Sequence, residues 1–156
     1  MKSSASTANG KEVPSSVASK LTVLGATGSI GLNTLEIVRQ FPHKFKIEAL
    51  SCRSSIERLV EQIKEFQPRL VCVDNSEQAR ELRETFRDRN SGTETEFVWG
   101  VEGLVQVSSD PEVDLVVAGI VGAAGLQPTF SAVQAGKKVA VANKEPLVMA
   151  GELFVQ

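Results

Sequence analysis

The chain has 156 residues, of which 42% are hydrophobic and 23% are charged, and its formal net charge is −2. This length fits one domain of ordinary size with a hydrophobic core. The nearly balanced charge argues against nucleic acid or an anionic membrane as the main partner, and no apolar run approaches the roughly 20 residues that span a bilayer. Cys52 and Cys72 lack metal-type spacing. We expect them to be free, half-buried thiols in a reducing compartment.

The first residues differ in composition from the rest of the chain. Residues 1–19 are rich in serine and small residues and have no hydrophobic periodicity. This composition is typical of a disordered leader, and it lacks the apolar core of a secretory signal. A remnant of an organelle transit peptide stays open as an alternative, although the segment has no arginine. We therefore divide the chain into a leader, 1–19, and a folded domain, 20–156.

A strand, a glycine turn and a helix open the folded domain. The apolar run at residues 21–24 predicts a buried strand, and glycines follow it at positions 25, 28 and 31. Apolar residues then recur at helical spacing from Leu32 onward. This order is typical of the phosphate-binding opening of dinucleotide-binding folds, although a plain strand-to-helix turn is the alternative.

Each glycine of this turn has an expected role. Gly25 permits the tight turn, Gly28 lets a pyrophosphate approach the backbone, and Gly31 lets the helix lie close to the strand. The first helical turn offers unpaired N–H groups and the positive end of the helix dipole to the phosphates. The hydroxyl groups of Thr27 and Ser29 are expected to add donors.

Strands and helices alternate along the rest of the domain. We predict strands at 45–51, 70–73, 97–99, 114–119 and 138–142. We predict helices at 56–66, after Ser76 as a cap, at 101–107, at 128–135 and from Glu145 onward, with a loop at 90–96. Because no hairpin signal joins two strands, the pattern predicts an α/β fold, a doubly wound parallel sheet of Rossmann-like type.

The end of the second strand distinguishes the two nicotinamide cofactors. NAD-binding proteins place a carboxylate there to bond the ribose 2′-hydroxyl. Here the strand is followed by Arg53, Ser54 and Ser55, which supply a charged planar fork and hydroxyl donors. These groups suit a 2′-phosphate and therefore predict NADP, whereas the alternative is a surface arginine beside a helix-capping serine.

A second constellation follows the last two strands, at the edge where ligands bind in such sheets. The glycine-rich segment 119–125 would let a flat nicotinamide ribose pass close to the backbone. Asn143 is a candidate cap for the final helix, with Lys144 and Glu145 beside it. A lysine is disfavoured at the positive end of a helix, so Lys144 indicates an anionic ligand; the alternative is a lysine pointing into solvent.

With both segments in view, the chain resembles the 1-deoxy-D-xylulose 5-phosphate reductoisomerase family. The matching pieces are Gly-Ala-Thr-Gly-Ser-Ile-Gly at 25–31, Gly-Ile-Val-Gly-Ala-Ala-Gly-Leu at 119–126, and Ala-Asn-Lys-Glu at 142–145 followed by Leu147 and Val148. The likeness runs from about Lys20 to the end of the chain.

The resemblance implies roles for individual residues. Cofactor-binding roles fall on Thr27, Gly28, Ser29, Ile30, Arg53, Ser54, Ser55, Asn143 and Glu145, and a substrate-binding role falls on Lys144. The segment Arg53–Ser55 departs from the glycine, lysine or asparagine common in the family, while it keeps groups that suit a phosphate. No catalytic residue and no metal ligand is expected within this chain.

The family activity implies partners as well. NADPH reduces an isomerised sugar phosphate to 2-C-methyl-D-erythritol 4-phosphate in the non-mevalonate isoprenoid pathway, with Mg²⁺ or Mn²⁺ on the substrate oxygens. The resemblance implies a homodimer in the bacterial cytoplasm, with a plastid as the alternative. Because the family's metal and phosphate-gripping residues follow the Asn-Lys-Glu motif, we expect this chain to be a truncated, inactive fragment that holds the cofactor-binding domain.

Two other readings stay open from the sequence. Extended short-chain reductases begin with a similar glycine turn, but their mechanism requires a tyrosine, and this chain has none. A non-catalytic NADPH sensor on the same fold is the other alternative.

Overall fold

The computed structural model describes residues 17–87 and 94–141. Its strands are β1 (Ser19–Leu24), β2 (Phe45–Ser51), β3 (Leu70–Val73), β4 (Glu96–Trp99), β5 (Leu115–Ala118) and β6 (Lys138–Val141). Its helices are α1 (Ser29–Gln40), α2 (Ile56–Phe66), α3 (Ser76–Arg87), α4 (Gly100–Ser109) and α5 (Leu126–Gln134), and a single 3₁₀ turn, Ala123–Gly125, precedes α5.

The six strands form one parallel sheet in the order β4-β3-β2-β1-β5-β6. The chain builds outward from β1 to β4, crosses back beside β1, and continues outward in the other direction. The reversal therefore lies between β1 and β5, where doubly wound sheets open a crevice for ligands at the carboxyl ends of their strands. The prediction of a doubly wound parallel sheet is confirmed.

Two apolar clusters cover the two faces of the sheet. The inward residues of α1, α2 and α3, such as Leu35, Leu59 and Leu82, belong to one cluster. Those of α4 and α5, such as Val107 and Ala132, belong to the other. Since both faces are covered, the inner strands β3 (Leu-Val-Cys-Val) and β5 (Leu-Val-Val-Ala) are continuously apolar, as buried parallel strands are expected to be.

Some predicted boundaries move by a few residues. The helix α1 begins at Ser29, so Gly31 lies inside its first turn. The first strand begins two residues before the predicted start, and β4 includes Glu96, a residue of the predicted loop 90–96. The fourth and fifth strands and helices shift likewise: α4 covers Gly100–Ser109, and β5 ends at Ala118.

The predicted cap of α3 is wrong by one residue. Ser76 is the first helical residue, and the carboxamide oxygen of Asn75 accepts a hydrogen bond from the Gln78 N–H at 2.9 Å. Both residue types are good caps, and the backbone places Asn75 at the position from which its side chain reaches the third helical N–H.

Both ends of α5 have recognisable local signals. The helix begins at Leu126, two residues before the predicted start, and accommodates Pro128 in its first turn. At the other end, the N–H of Gly136 bonds Val133 O and that of Lys137 bonds Ala132 O, both at 3.0 Å. Gly136 has φ +76°, the left-handed conformation that this stop requires.

Candidate cofactor-binding site

The glycine turn joins β1 to α1 at the point where the strand order reverses. Gly25 has φ +73°, and a Cβ on it would lie 2.8 Å from the Gly119 carbonyl oxygen. A Cβ on Gly31 would overlap the Gly25 carbonyl oxygen and the Ala26 backbone. The positive φ of Gly25 agrees with its predicted role in the tight turn, and the clash at Gly31 agrees with its predicted role in close helix packing; the contact of Gly25 with Gly119 was not predicted.

Gly28 differs from its two neighbours in the motif. A Cβ there would meet only the Gly25 carbonyl oxygen, at 3.5 Å, which is an ordinary contact. The residue is exposed and caps α1 with φ −80° and ψ 174°, a conformation open to any residue. The protein's own packing does not require glycine at this position, so the small residue leaves space on the outer side of the turn.

The first turn of α1 carries the free donors of the site. The N–H of Leu32 makes the first intrahelical hydrogen bond, to Gly28 O at 2.8 Å. By helix geometry, the N–H groups of Ser29, Ile30 and Gly31 lack intrahelical acceptors. Thr27 and Ile30 are half-buried and Ser29 is exposed, so the turn presents donors and the positive dipole end to an anion.

The neighbouring strand and helix hold the turn by hydrogen bonds. The buried Ser51, at the end of β2, accepts the Gly25 N–H through Oγ at 2.9 Å and the Ala26 N–H through its carbonyl at 2.8 Å. From α2, Gln62 Nε2 donates to Ala26 O at 2.9 Å and Arg58 Nη1 donates to Thr27 O at 3.2 Å.

Sequence reasoning assigned no role to Arg58 or Gln62. One signal was available for Gln62, because it stands between Leu59 and Ile63 on the apolar face of a helix. A polar residue on such a face needs a partner, but spacing alone does not identify the partner.

The segment expected to bind the 2′-phosphate lies beside the glycine turn. Arg53, Ser54 and Ser55 are exposed and connect β2 to α2, with Ser55 as the helix cap residue. The Arg53 side chain is 86% exposed, and its Nε lies 3.9 Å from an oxygen of Asp74. The structure thus brings these residues to the same edge as residues 27–30.

Cys52, which precedes the segment 53–55, contacts the glycine turn. Its Sγ lies 3.4 Å from Thr27 Oγ1 in the glycine turn. Both cysteines are free, as expected, but they are buried and not half-buried.

Burial, with the nearby charge of Asp74, raises the pKa of the Cys72 thiol to about 12. This high pKa makes the thiol a poor nucleophile.

The second glycine segment, 119–125, packs against the first. A Cβ on Gly119 would lie 2.6 Å from Leu24 O, and one on Gly125 would lie 2.7 Å from Ile120 O. Gly122, with φ +77°, has open space around it. Gly119 and Gly125 therefore have a packing reason, and the nicotinamide contact expected of the segment 119–125 stays a prediction.

The remaining predicted site residues lie outside the described part of the chain. These are Asn143, Lys144 and Glu145, together with Ala142, the expected end of the last strand, and the helix expected from Glu145 onward. The strand β6 ends at Val141, at the same sheet edge as the glycine turn, because all six strands are parallel.

Over residues 17–87 and 94–141, no group of three or more His, Cys, Asp or Glu side chains has the arrangement of a metal site. In the same part of the chain, no helix is long and apolar enough to cross a bilayer.

Comparison with known proteins identifies the family. Residues 21–151 match the family described as 1-deoxy-D-xylulose 5-phosphate reductoisomerase. The chain belongs to this family. A reductoisomerase of that name from Dechloromonas aromatica is 52% identical over 141 residues, which are 90% of this chain and 35% of that protein. Family membership sets aside the short-chain reductase reading.

Solved structures of the family have the same fold. A 1-deoxy-D-xylulose 5-phosphate reductoisomerase solved with NADPH, fosmidomycin and magnesium matches with a TM-score of 0.81 and 44% identity, over 88% of this chain and 33% of that one. The enzyme from Zymomonas mobilis, solved with NADPH, matches with a TM-score of 0.78 and 33% identity, over 88% of this chain and 35% of that one. The chain thus spans about a third of the length of its relatives.

Proposed function

We propose that residues 20–156 are the NADPH-binding domain of a 1-deoxy-D-xylulose 5-phosphate reductoisomerase, preceded by a leader at 1–19. The whole protein would convert 1-deoxy-D-xylulose 5-phosphate to 2-C-methyl-D-erythritol 4-phosphate. The observation that carries this proposal is the match, at 44% identity and a TM-score of 0.81, to a family structure solved with NADPH.

The glycine turn fits the pyrophosphate of a dinucleotide. Gly28 leaves open space on the outer side of the turn, and the N–H groups at the start of α1 face an anion that would lie there. We assign Thr27, Gly28, Ser29 and Ile30 to the pyrophosphate and the adjoining ribose. NADPH, when bound, supplies the hydride, while these residues bind and orient it.

Arg53, Ser54 and Ser55 fit the additional phosphate of NADPH. No carboxylate ends β2, and the exposed guanidinium of Arg53 is free to turn from Asp74, 3.9 Å away, toward a phosphate. Since NADH has a hydroxyl in place of that phosphate, this segment supports selectivity for NADPH.

The other roles rest on the family resemblance. Asn143 and Glu145 are assigned to the cofactor and Lys144 to the sugar-phosphate substrate. Mg²⁺ or Mn²⁺ would act on the substrate oxygens, and the described residues offer no ligand set that fits it.

Assembly and location are part of the same proposal. The whole protein is proposed to be a homodimer of the bacterial cytoplasm on the strength of the family resemblance, with a plastid as the alternative location; the organisms of its relatives support a bacterial source. Neither nucleic acid nor a membrane is proposed as a partner, in agreement with the net charge of −2.

Calorimetric titration of the 156-residue chain with NADPH and NADH tests this proposal. We expect NADPH to bind more tightly, by about 10-fold or more, because one charge-assisted phosphate site is worth at least about 1.4 kcal/mol. Equal affinities would contradict the role of Arg53–Ser55. A folded chain that binds neither cofactor would contradict the role of the glycine turn.

A further inference from the structure

Gln62 is a buried polar side chain whose presence is not explained by packing. It is 4% exposed, and among the described residues its Oε1 has no hydrogen-bond partner. Its Nε2 donates to Ala26 O, and this assignment of the amide is firm because a carbonyl oxygen only accepts. An unsatisfied buried acceptor costs folding free energy; a methionine of similar length would avoid that cost, but it would lose the hydrogen bond to Ala26 O.

Arg58 lies one helical turn before Gln62 and contacts the next residue of the glycine turn. Its guanidinium donates to Thr27 O, so side chains at i and i+4 on one face of α2 hold two consecutive carbonyl groups. Peptide units are planar, and fixing their carbonyls fixes the orientation of the peptides that follow Ala26 and Thr27. The chain between Gly25 and Gly28 is therefore fixed from the side of α2.

A turn with three glycines needs such restraint. Glycine has access to more backbone conformations than any other residue, and each alternative conformation would misdirect the N–H groups at the start of α1. A site held in its binding shape before the ligand arrives avoids the entropy cost of ordering during binding.

We propose that Gln62 and Arg58 are positioning residues that hold the glycine turn in its cofactor-binding shape. This inference rests on the proposed function of the turn. Because both side chains act on the segment assigned to the pyrophosphate, which NADPH and NADH share, their loss should weaken both cofactors by the same factor. A loss at Arg53, in contrast, should affect NADPH alone.

The test compares Gln62→Met and Arg58→Met with the control Gln106→Met in the 156-residue chain. Gln106 is exposed on α4, which packs on the opposite face of the sheet. For each variant, calorimetry gives the dissociation constants of NADPH and NADH, and a thermal melt gives stability. Amide hydrogen exchange without cofactor reports the Gly28 N–H, which bonds Gly25 O at 3.1 Å within the turn.

For Gln62→Met we expect a nearly unchanged melting temperature, because removing the unsatisfied Oε1 offsets the loss of the hydrogen bond to Ala26 O. We expect about 10-fold weaker binding of both cofactors and faster exchange at Gly28. For Arg58→Met we expect about 3-fold weaker binding of both, because its hydrogen bond is exposed. Gln106→Met should match the parent chain. Unchanged affinities together with unchanged exchange in both α2 variants would overturn the inference.

Two further outcomes remain decisive. If Gln62→Met fails to melt cooperatively, Arg58→Met decides alone: weaker binding of both cofactors supports the inference, and unchanged affinity overturns it. If the parent chain binds neither cofactor, the proposed function fails separately. Exchange at Gly28 then decides whether α2 holds the turn, since that measurement needs no cofactor.

Discussion

The charged side chains at the two edges of the sheet differ in whether they have partners of opposite charge. At the amino edge, the buried carboxylate of Glu48 pairs with Lys46 at 3.1 Å and with Arg69 at 3.2 Å. Arg69 also reaches Asp110 at 2.6 Å, and Lys20 pairs with Glu112 at 3.0 Å. Each of these cations has a carboxylate partner within the protein, so the positive charges at this edge are already neutralised.

At the carboxyl edge, two arginines are not closely paired with acidic side chains. Arg53 is largely exposed with a carboxylate only at 3.9 Å, and Arg58 contacts a backbone carbonyl instead of an acid. The start of α1 adds unpaired N–H groups. A cleft of about 530 Å³ lies at the amino edge, but its lining charges neutralise one another. We infer from this difference that unsatisfied donors, and not the size of a cleft, mark the edge where the proposed cofactor would bind.

The most damaging change to the carboxyl edge is Gly28→Val. The valine would fill the space left for the pyrophosphate, and we expect NADPH affinity to fall by about 100-fold or more, which corresponds to about 2.7 kcal/mol. The fold should persist, because φ −80° and ψ 174° suit valine and the nearest atom to the new Cβ is 3.5 Å away. Calorimetry and circular dichroism check the two expectations; unaltered affinity in a folded variant would contradict the assignment.

A smaller change separates the packing glycine from the binding glycine. Gly31→Ala places a Cβ against the Gly25 carbonyl and the Ala26 backbone, which cannot easily move. We expect the free energy of unfolding to fall by about 2–3 kcal/mol. The matched control, Gly28→Ala, should change it by less than about 0.5 kcal/mol. Urea denaturation of both variants gives the comparison, and equal effects would refute the division of roles.

Arg53→Glu tests the proposed contact between Arg53 and the 2′-phosphate of NADPH. Replacing the guanidinium by a carboxylate should weaken NADPH binding by about 1–3 kcal/mol, with much less effect on NADH. Arg80→Glu, an equal change of charge at an exposed position of α3, is the control for long-range effects. Similar losses of NADPH affinity in the two variants, or equal losses for both cofactors in Arg53→Glu, would count against the phosphate contact.

The smallest expected effect lies at the amino edge. Burial tends to raise the pKa of the Asp110 carboxyl, but hydrogen bonds from Arg69 and the Glu112 N–H, with the charges of Arg69 and Lys137, hold it below its usual value. Its stabilising contribution is therefore complete above the ordinary carboxyl pKa and is lost as pH falls through the lower pKa of the folded state.

Asp110→Asn tests that contribution. We expect the free energy of unfolding to fall by about 1 kcal/mol at neutral pH, because the Asp110 side chain is 11% exposed and its contact with Arg69 is direct. The difference from the parent chain should vanish in acid, and NADPH affinity should not change. Denaturation across pH measures the first effect; a difference that persists in acid would contradict the ion pair as its cause.

Much of the fold followed from local pattern. Residues 45–51, 56–66 and 70–73 have the predicted structure to the residue, because apolar periodicity and a flanking proline act within the segment itself. The predicted helical pattern starts at Leu32, whereas α1 starts at Ser29. The apolar period does not extend over the glycine turn, and the close contact of Gly31 with Gly25 O and Ala26 depends on how the turn folds in three dimensions.

Only those parts of the candidate site that are formed by residues close together in sequence could be predicted from the sequence. The glycine turn was predicted from its motif, and the segment after β2 was predicted from its position at the end of the second strand. Ser51, Arg58 and Gln62 act on the turn across 26, 31 and 36 positions. Such contacts depend on how β2 and α2 dock beside β1, and residue spacing alone does not contain that information.

The most direct test of the account is an amide NMR titration of the chain with NADPH. We predict that chemical-shift changes concentrate in the glycine turn and at Arg53–Ser55, while Lys20, Glu48 and Arg69 at the amino edge stay unperturbed. Changes concentrated at the amino edge, with a silent glycine turn, would contradict the placement of the cofactor at the carboxyl edge.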